Sequence, residues 1–577
     1  MKRILLIILF GLITFWLHAQ NTNIAKYWIQ FKNKKGTIYS VEKPEKFLSP
    51  KAIEKRKTFN IPVTEQDFPV NKNYIDSLLR FDRTMRVLTQ SKWLNGITVY
   101  SERPNLLNDL KHISFVADCE ETIPLKERER IPRNMNMGQI YQTPSTSIGD
   151  ELNIGEVPLP ALNDYGWSWH QLTLNNAQWL PRMGYTGKGV TLMVMDGGFQ
   201  GVDTIRQFAY LRDSKHLLGA RNFVQPANSP YAEGGHGTMV LSCIAALLPS
   251  KLIGTAPNVS VWLAVTEDGR SEYKIEEDNW VAGIEWADSL GCDILNSSLG
   301  YTKFDDKKQK REYADLTGQV SRASKAALIA VQKGMIVCNS MGNEGAKEWH
   351  YTGSPSDARG ILSVGAAARD GSMASFSSYG PTADGRIKPD ACALGDNVIV
   401  ANPKGEVTIA SGTSFAAPLL CGMIACLKEA FPYLSNTTIM NAVRQSGSHY
   451  TAPTPSYGNG IADMLKAYNI LNNPQTSFCK VNFETYSTTE GKILVTFETS
   501  EPIKLIVKQQ LRGGNKEQVK KYNIKNSKII TLKLPPLDKN KKWGIVDITI
   551  SPANLEDVKN MNLNRAFLKY VVGSERK

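Results

Sequence analysis

With 577 residues, 42% of them hydrophobic and 21% charged, the chain is too long for one ordinary domain and too apolar to be disordered or fibrous. A formal net charge of +13 invites a nucleic acid or an anionic surface as partner. However, 19 Lys and Arg against 10 Asp and Glu fall after residue 475, so most of the excess is a solvated basic face of the tail, and no nucleic-acid partner is expected.

The chain opens on MKRILLIILFGLITFWLHAQ, with Lys2 and Arg3 ahead of an apolar run from Ile4 to Leu17, and Leu17-His18-Ala19 as a small-residue cleavage site. The run is shorter than a comfortable membrane span, and no later segment offers about 18 consecutive apolar residues. No cysteine follows to take a lipid. Residues 1–19 therefore read as a signal peptide. The mature protein is expected to be exported (secreted, periplasmic or cell-surface), with no stable membrane span once the leader is removed.

Residues 20–124 alternate strand-like stretches (YWIQFK, NGITVYS) with helical ones (SPKAIEKRKTF, YIDSLLRF), the pattern of a small α+β module. Residues 125–160 are polar, charged and without periodicity, and read as a linker open to proteolysis. Residues 161–475 change character. Short apolar strands (GVTLMVMD, VSVWLAV, CDILNSSLG, GMIVCNSMG, GILSVGAA) alternate with helical segments (HGTMVLSCIAALL, NWVAGIEWADSLG, QVSRASKAALIAVQKG). Apolar runs of that length separated by helices predict a mainly parallel sheet covered on both faces, an α/β three-layer domain. Its chemistry should gather at the carboxyl ends of the strands. From 476 to 577 the helices fade, and KILVTFET, IKLIVKQQ, KIITLKL and GIVDITI predict an all-β, sandwich-like domain. Eight cysteines are scattered, with Cys243, Cys421 and Cys426 inside apolar helical patterns. They read mostly as buried free thiols, with room for one pair that the sequence does not assign. No CxxC or Cys/His spacing suggests zinc.

Three stretches of the middle domain carry chemistry. GVTLMVMDGGF ends an apolar strand on Asp196, GGHGTMVLSCIAALL opens a helix at His236, and ASGTSFAAPLL hands a turn over to a helix at Ser414, with Pro418 in its first turn. Singly these are an ordinary strand-end acid, a structural histidine and an N-cap serine. Together a buried acid, an imidazole and a hydroxyl are the parts of a nucleophilic hydrolase. In the order Asp…His…Ser, with GTSFAAP fitting Gly-Thr-Ser-x-Ala-x-Pro and HGTMV fitting His-Gly-Thr-x-Val, the chain resembles the subtilisin-like serine peptidase family, the subtilases. FSSYGPTADGRIKPD resembles the stretch that leads toward the serine in that family. The resemblance covers roughly Tyr165 to Ala467.

The resemblance implies a serine endopeptidase acting on protein and peptide substrates. In it Ser414 is the nucleophile, His236 the base and then acid, and Asp196 its orienting carboxylate. NSMGNEG resembles the segment with the oxyanion-hole asparagine and assigns that role to Asn343, beside Gly342. NSSLG resembles the strand that pairs with extended substrate, which makes Ser298, Leu299 and Gly300 substrate contacts. NSMGNEG and TGSPSD are expected to line part of the primary specificity pocket, their small residues favouring an apolar side chain. The N-terminal module is expected to be an intramolecular propeptide. No organic cofactor is implied; structural calcium occurs in the family, but no Asp/Glu spacing here assigns it. The chain departs from the pattern at Gly197, where Ser or Thr usually follows the acid, at Met239, and at ACALGD. A catalytically weak or inactive subtilase scaffold that binds peptides or envelope polymers is the rival reading, and loss of a triad member would have favoured it. An α/β-hydrolase esterase expects a G-x-S-x-G elbow and the order Ser…Asp…His, and this chain has neither.

Overall fold

The computed structural model describes residues 25–103, 105–123 and 162–472, and in the tail 480–485, 492–499, 502–512, 514, 516–535, 543–553 and 566–573. The expected signal peptide (1–19) and the linker (125–160) lie outside the described residues. The chain divides into two compact units after Asp463.

The first unit begins with an antiparallel sheet of β1 (Ala25–Phe31), β2 (Arg86–Ser91), β3 (Gly96–Ser101) and β4 (Val116–Ile123) in the order β2-β3-β1-β4. Alternation along β1 turns Tyr27, Ile29 and Phe31 into a core shared with Ile97 and Val99 of β3. Helix α1 (Pro50–Thr58) starts where Ser49 Oγ accepts the Ala52 N–H at 3.1 Å, with Pro50 at its first position. Helix α2 (Lys72–Phe81) is capped in the same way by Asn71.

A seven-stranded parallel sheet follows, made of β5 (Thr191–Asp196), β6 (Leu217–Asn222), β7 (Ser260–Val265), β8 (Ile294–Ser297), β9 (Ile336–Ser340), β10 (Leu362–Ala367) and β11 (Ala391–Leu394), ordered β11-β10-β9-β8-β5-β7-β6. Helices α3 (Gly235–Ala245), α4 (Ile275–Leu290), α5 (Arg322–Gln332) and α6 (Thr413–Ala430) cover it. Met193 and Met195 of β5, Leu295 of β8 and Val337 of β9 pack with Trp280 of α4 and Ala327 of α5. Residues between them, such as Cys338, turn to the opposite face, where Cys338 meets Cys421 of α6. Helix α6 is long and apolar enough to cross a membrane, yet 89% of that window is buried: it is the core helix of this layer. All seven cysteines among the described residues are free thiols.

The N-terminal sheet docks on the outer surface of α4 and α5 through charge. Glu285 of α4 accepts bonds from Ser91 Oγ (2.6 Å), Lys92 N (2.7 Å) and Trp93 N (3.0 Å). Arg56 of α1 grips both oxygens of Asp288 at 2.7 and 2.9 Å. Glu120 of β4 meets Lys274 at 2.9 Å and also Arg322, which reaches Asp278 at 2.5 Å.

The second unit holds helix α7 (Met464–Leu471) and two antiparallel sheets. One orders Lys480–Thr485, Lys492–Glu498 and Ser527–Lys533; the other orders Glu517–Ile524, Ile503–Leu511, Trp543–Pro552 and Ala566–Gly573. Val495, Phe497 and Leu532 of the first sheet share one core with Leu505, Val507 and Val546 of the second, so the two form a sandwich.

Candidate active site

The chain order reverses at β5: β6 and β7 lie to one side of it, β8 to β11 to the other. Such a switch point opens a crevice at the carboxyl end of the strand, and β5 ends there on Asp196, which is 1% exposed. His236 is the second residue of α3, and Ser414 the second residue of α6. Glycines permit the close approach of α3 to the end of β5. A Cβ on Gly237 would stand 2.3 Å from the Gly198 carbonyl oxygen and 2.9 Å from Asp196 Cβ. Gly234 has a positive φ of 79°, and its Cβ would stand 2.4 Å from the Gly197 carbonyl oxygen.

His236 Nδ1 lies 2.9 and 3.0 Å from the two carboxylate oxygens of Asp196. The carboxylate charge raises the imidazole pKa, outweighing the burial that lowers it. With Nδ1–H donated to Asp196, Nε2 is left as the basic nitrogen. The Gly197 N–H donates to Asp196 Oδ1 at 2.8 Å, so the backbone supports the carboxylate where the family pattern would offer a hydroxyl. The main-chain oxygen of Asp196 accepts the Thr266 N–H at 3.0 Å.

Ser414 Oγ donates to the Ser298 carbonyl at 3.4 Å, a long bond, while Ser298 Oγ donates to the Ser414 carbonyl at 2.8 Å. The ring of Phe415, next in sequence, is centred 5.7 Å from that of His236. Among the described residues no hydrogen bond joins His236 to Ser414. In ligand-free sites such contacts commonly tighten only with substrate present.

Asn343 Oδ1 accepts both the N–H and the Oγ1–H of Thr413, each at 2.9 Å. These two hydrogen bonds fix which end of the amide faces which way. Its Nδ2 lies 3.7 Å from where a Cβ on Gly412 would stand and has no partner among the described residues. The Ser414 N–H, in the first turn of α6, has no intrahelical acceptor. The free Ser414 N–H and the positive end of α6 thus lie at the serine, and the Asn343 amide is held against Thr413, the residue before it. The sequence reading named Asn343 but missed Thr413 as its holder, although Thr413 stands inside the serine phrase.

Ser298, Leu299 and Gly300 follow β8 directly. The Leu299 side chain is buried in the core, its carbonyl already accepts Asn339 Nδ2 at 3.0 Å, and Gly300 is exposed. Gly342 donates its N–H to Thr413 Oγ1 at 3.2 Å. The TGSPSD segment is bonded to the end of β9: Thr352 Oγ1 donates to the Met341 carbonyl at 3.0 Å, and Ser356 Oγ to that of Ser340 at 2.6 Å. Asp357 is fully buried and accepts the Gly318 N–H at 2.7 Å and Ser324 Oγ–H at 2.5 Å, and burial raises its pKa. A cavity of about 160 Å³ opens beside Gly198, Gly234 and Glu267. One carboxylate oxygen from each of Glu267, Glu272 and Glu276 lies within 4.8 Å of the others, and this is the group among the described residues that could hold a metal ion.

Comparison with known proteins agrees with this geometry. The subtilase family model matches residues 187–460, and the model of the peptidase S8 propeptide domain of Bacteroidota matches residues 26–136. Subtilisin NAT of Bacillus subtilis subsp. natto is 30% identical over 407 residues, covering 69% of this chain and 90% of its own. The thermostable alkaline protease of Halalkalibacterium halodurans is 28% identical over 293 residues, 51% of this chain and 71% of its own. A subtilisin of Bacillus pumilus is 30% identical over 299 residues, 50% of this chain and 94% of its own. The chain belongs to the subtilase family. It is a subtilisin-like serine endopeptidase with an intramolecular propeptide domain, acting on protein substrates.

Proposed function

We propose that this endopeptidase is exported and cuts extended polypeptide through an acyl-enzyme on Ser414. His236 Nε2 takes the Ser414 proton as Oγ attacks the scissile carbonyl, and the Asp196 carboxylate stabilises the imidazolium. Asn343 Nδ2–H and the Ser414 N–H meet the oxygen that becomes negative. His236 then protonates the leaving amine, and water, deprotonated by the same nitrogen, hydrolyses the ester. Substrate main chain lies along Ser298, Leu299, Gly300 and Gly342, with an apolar side chain at the cleavage position beside the TGSPSD segment. The observation that carries this reading is the Asn343 amide, whose oxygen is held by Thr413, the residue before Ser414, leaving its Nδ2 unpaired among the described residues.

Fluorophosphonate labelling of the wild type beside Ser414→Ala, with intact mass before and after incubation, tests it. The wild type is expected to label at Ser414 and to lose an N-terminal fragment within residues 125–160, whereas the variant does neither. If neither protein labels even after that segment is cut deliberately, the fold serves as a peptide-binding scaffold instead.

A further inference from the structure

Helix α4 begins with three consecutive acids, Glu276, Glu277 and Asp278. Acids in a first turn complement the helix dipole, which explains such a run in general. Two of the three also have strong cationic partners: Glu277 accepts Arg311 at 2.5 Å, and Asp278 accepts Arg322 at 2.5 Å. Glu276 differs. It is 1% exposed, and neither of its carboxylate oxygens has a hydrogen-bond partner. What faces it is more acid, since Glu267 and Glu272 each bring a carboxylate oxygen within 4.8 Å. One oxygen of Glu272 is likewise buried and unpartnered, and the Glu272 N–H lies against Asp305 at 3.1 Å. Among the described residues no Lys, Arg or His pairs with any of the three. Glu267 has the Tyr301 hydroxyl at 3.3 Å, a neutral donor.

Uncompensated carboxylates so close together and so buried are costly, and two remedies exist: a positive ion between them, or protons on them. We propose that Glu267, Glu272 and Glu276 form a divalent-cation site that takes Ca²⁺. The donors are all hard carboxylate oxygens, which suit Ca²⁺ or Mg²⁺ rather than zinc or copper. An all-protein set of carboxylates favours Ca²⁺, because Mg²⁺ dehydrates reluctantly and usually keeps several waters. Glu267 and Glu272, in the connection between β7 and α4, are half-buried where Glu276 is buried, so an ion can enter past them. Bound there, the ion ties the end of β7 to the start of α4. That connection includes Thr266, whose N–H holds the main-chain oxygen of Asp196.

The test uses the full chain carrying Ser414→Ala, which prevents self-digestion, after exhaustive chelation. Calcium is counted by native mass spectrometry and titrated calorimetrically, and Tm is read at 1 mM Ca²⁺ and in chelator. Glu276→Gln in the same background is expected to lose one ion per chain, or to bind it at least tenfold more weakly, and to lose the calcium-dependent part of its Tm. Glu233→Gln, an exposed acid on the neighbouring cavity, should change neither. Should Glu276→Gln fail to fold, Glu272→Gln takes its place with the same expected loss. Unchanged stoichiometry and affinity in both Glu variants overturn the proposal. So does a Tm that rises in Glu276→Gln with no response to calcium, which would assign a shared proton to the cluster. A variant that binds calcium normally but loses a preference for basic residues in a peptide panel also overturns it, by assigning the acids to substrate.

Discussion

At the scale of single residues, the site pairs each group proposed to react with a neighbour that sets its state. Asn343 is exposed, but Thr413 holds its amide at two points, so Asn343→Ala removes one oriented donor and little else. Its kcat is expected to fall about 10²–10³-fold with KM nearly unchanged, the cost that loss of such a donor has in subtilisin. Steady-state kinetics on a peptide substrate check this. In the proposed mechanism His236 must be neutral to accept the serine proton, and the Asp196 charge raises its pKa above the ordinary imidazole value. The acidic limb of kcat/KM against pH is therefore expected above about pH 6.5, with activity appearing as pH rises through it. Asp196→Asn removes the charge that raises the pKa; the limb should move to lower pH while the rate drops about 10⁴-fold. Asp196, His236, Ser414 and Asn343 are legible in the sequence because each sits in a short local phrase. Thr413 as the holder of Asn343 is not, since the two are 70 positions apart and only the fold joins β9 to α6.

At the scale of elements, α4 serves two masters: one face packs on the sheet behind β5, the other receives the propeptide. Glu285 collects three donors from the last residue of β2 and the turn after it, and Glu285→Ala strands the Lys92 and Trp93 N–H groups on docking. A loss of about 2–4 kcal/mol follows, roughly a 30- to 1000-fold weaker hold on the propeptide. It is measured as fragment dissociation after a Ser414→Ala chain is nicked within residues 125–160. The same assay carries a pH dependence. Burial pushes Glu285 up to about 7 and Asp278 up to about 6, against the opposing Lys92 and Arg322 charges. Carboxyls with pKa values raised in the docked state bind more protons there than when released. Docking should therefore loosen as pH rises from about 4.5 to 7. Burial also opposes the charge of Glu120, but Arg322 and Lys274 outweigh it and bring that group down to about 2, so its contribution persists through this window and fades only in stronger acid. A dissociation constant that falls between pH 5 and pH 8 would contradict this. The docking helices were legible from their periodicity. The strand Glu517–Ile524 was not, because it is an exposed edge strand, mostly polar and rich in lysine, with no buried alternation to read.

At the scale of the whole chain, the first compact unit holds the core of the N-terminal sheet and that of the parallel sheet, and the second holds a core of its own. The parallel-sheet core joins β5, β8, α4 and α5, and that of the second unit is built wholly from the strands of the tail sandwich. Calorimetry of the Ser414→Ala protein is accordingly expected to show two unfolding transitions, and a chain ending at residue 475 to retain the first and its fluorophosphonate-competent parent activity when Ser414 is restored. A single transition that disappears on truncation would refute that.

By itself the sequence determined the alternation of apolar strands and helices, hence the parallel sheet, and the three phrases that place an acid, an imidazole and a hydroxyl at element ends. Those features depend on neighbours a few residues apart, through periodicity, capping and glycine turns. Only the tertiary structure decided that β5 is the strand at which the order reverses, that Thr413 orients Asn343, that Glu285 receives the propeptide, and that Glu276 is buried against two further carboxylates. Each of these joins residues that the chain brings together by folding, where long-range packing and desolvation, rather than local pattern, set what a side chain meets.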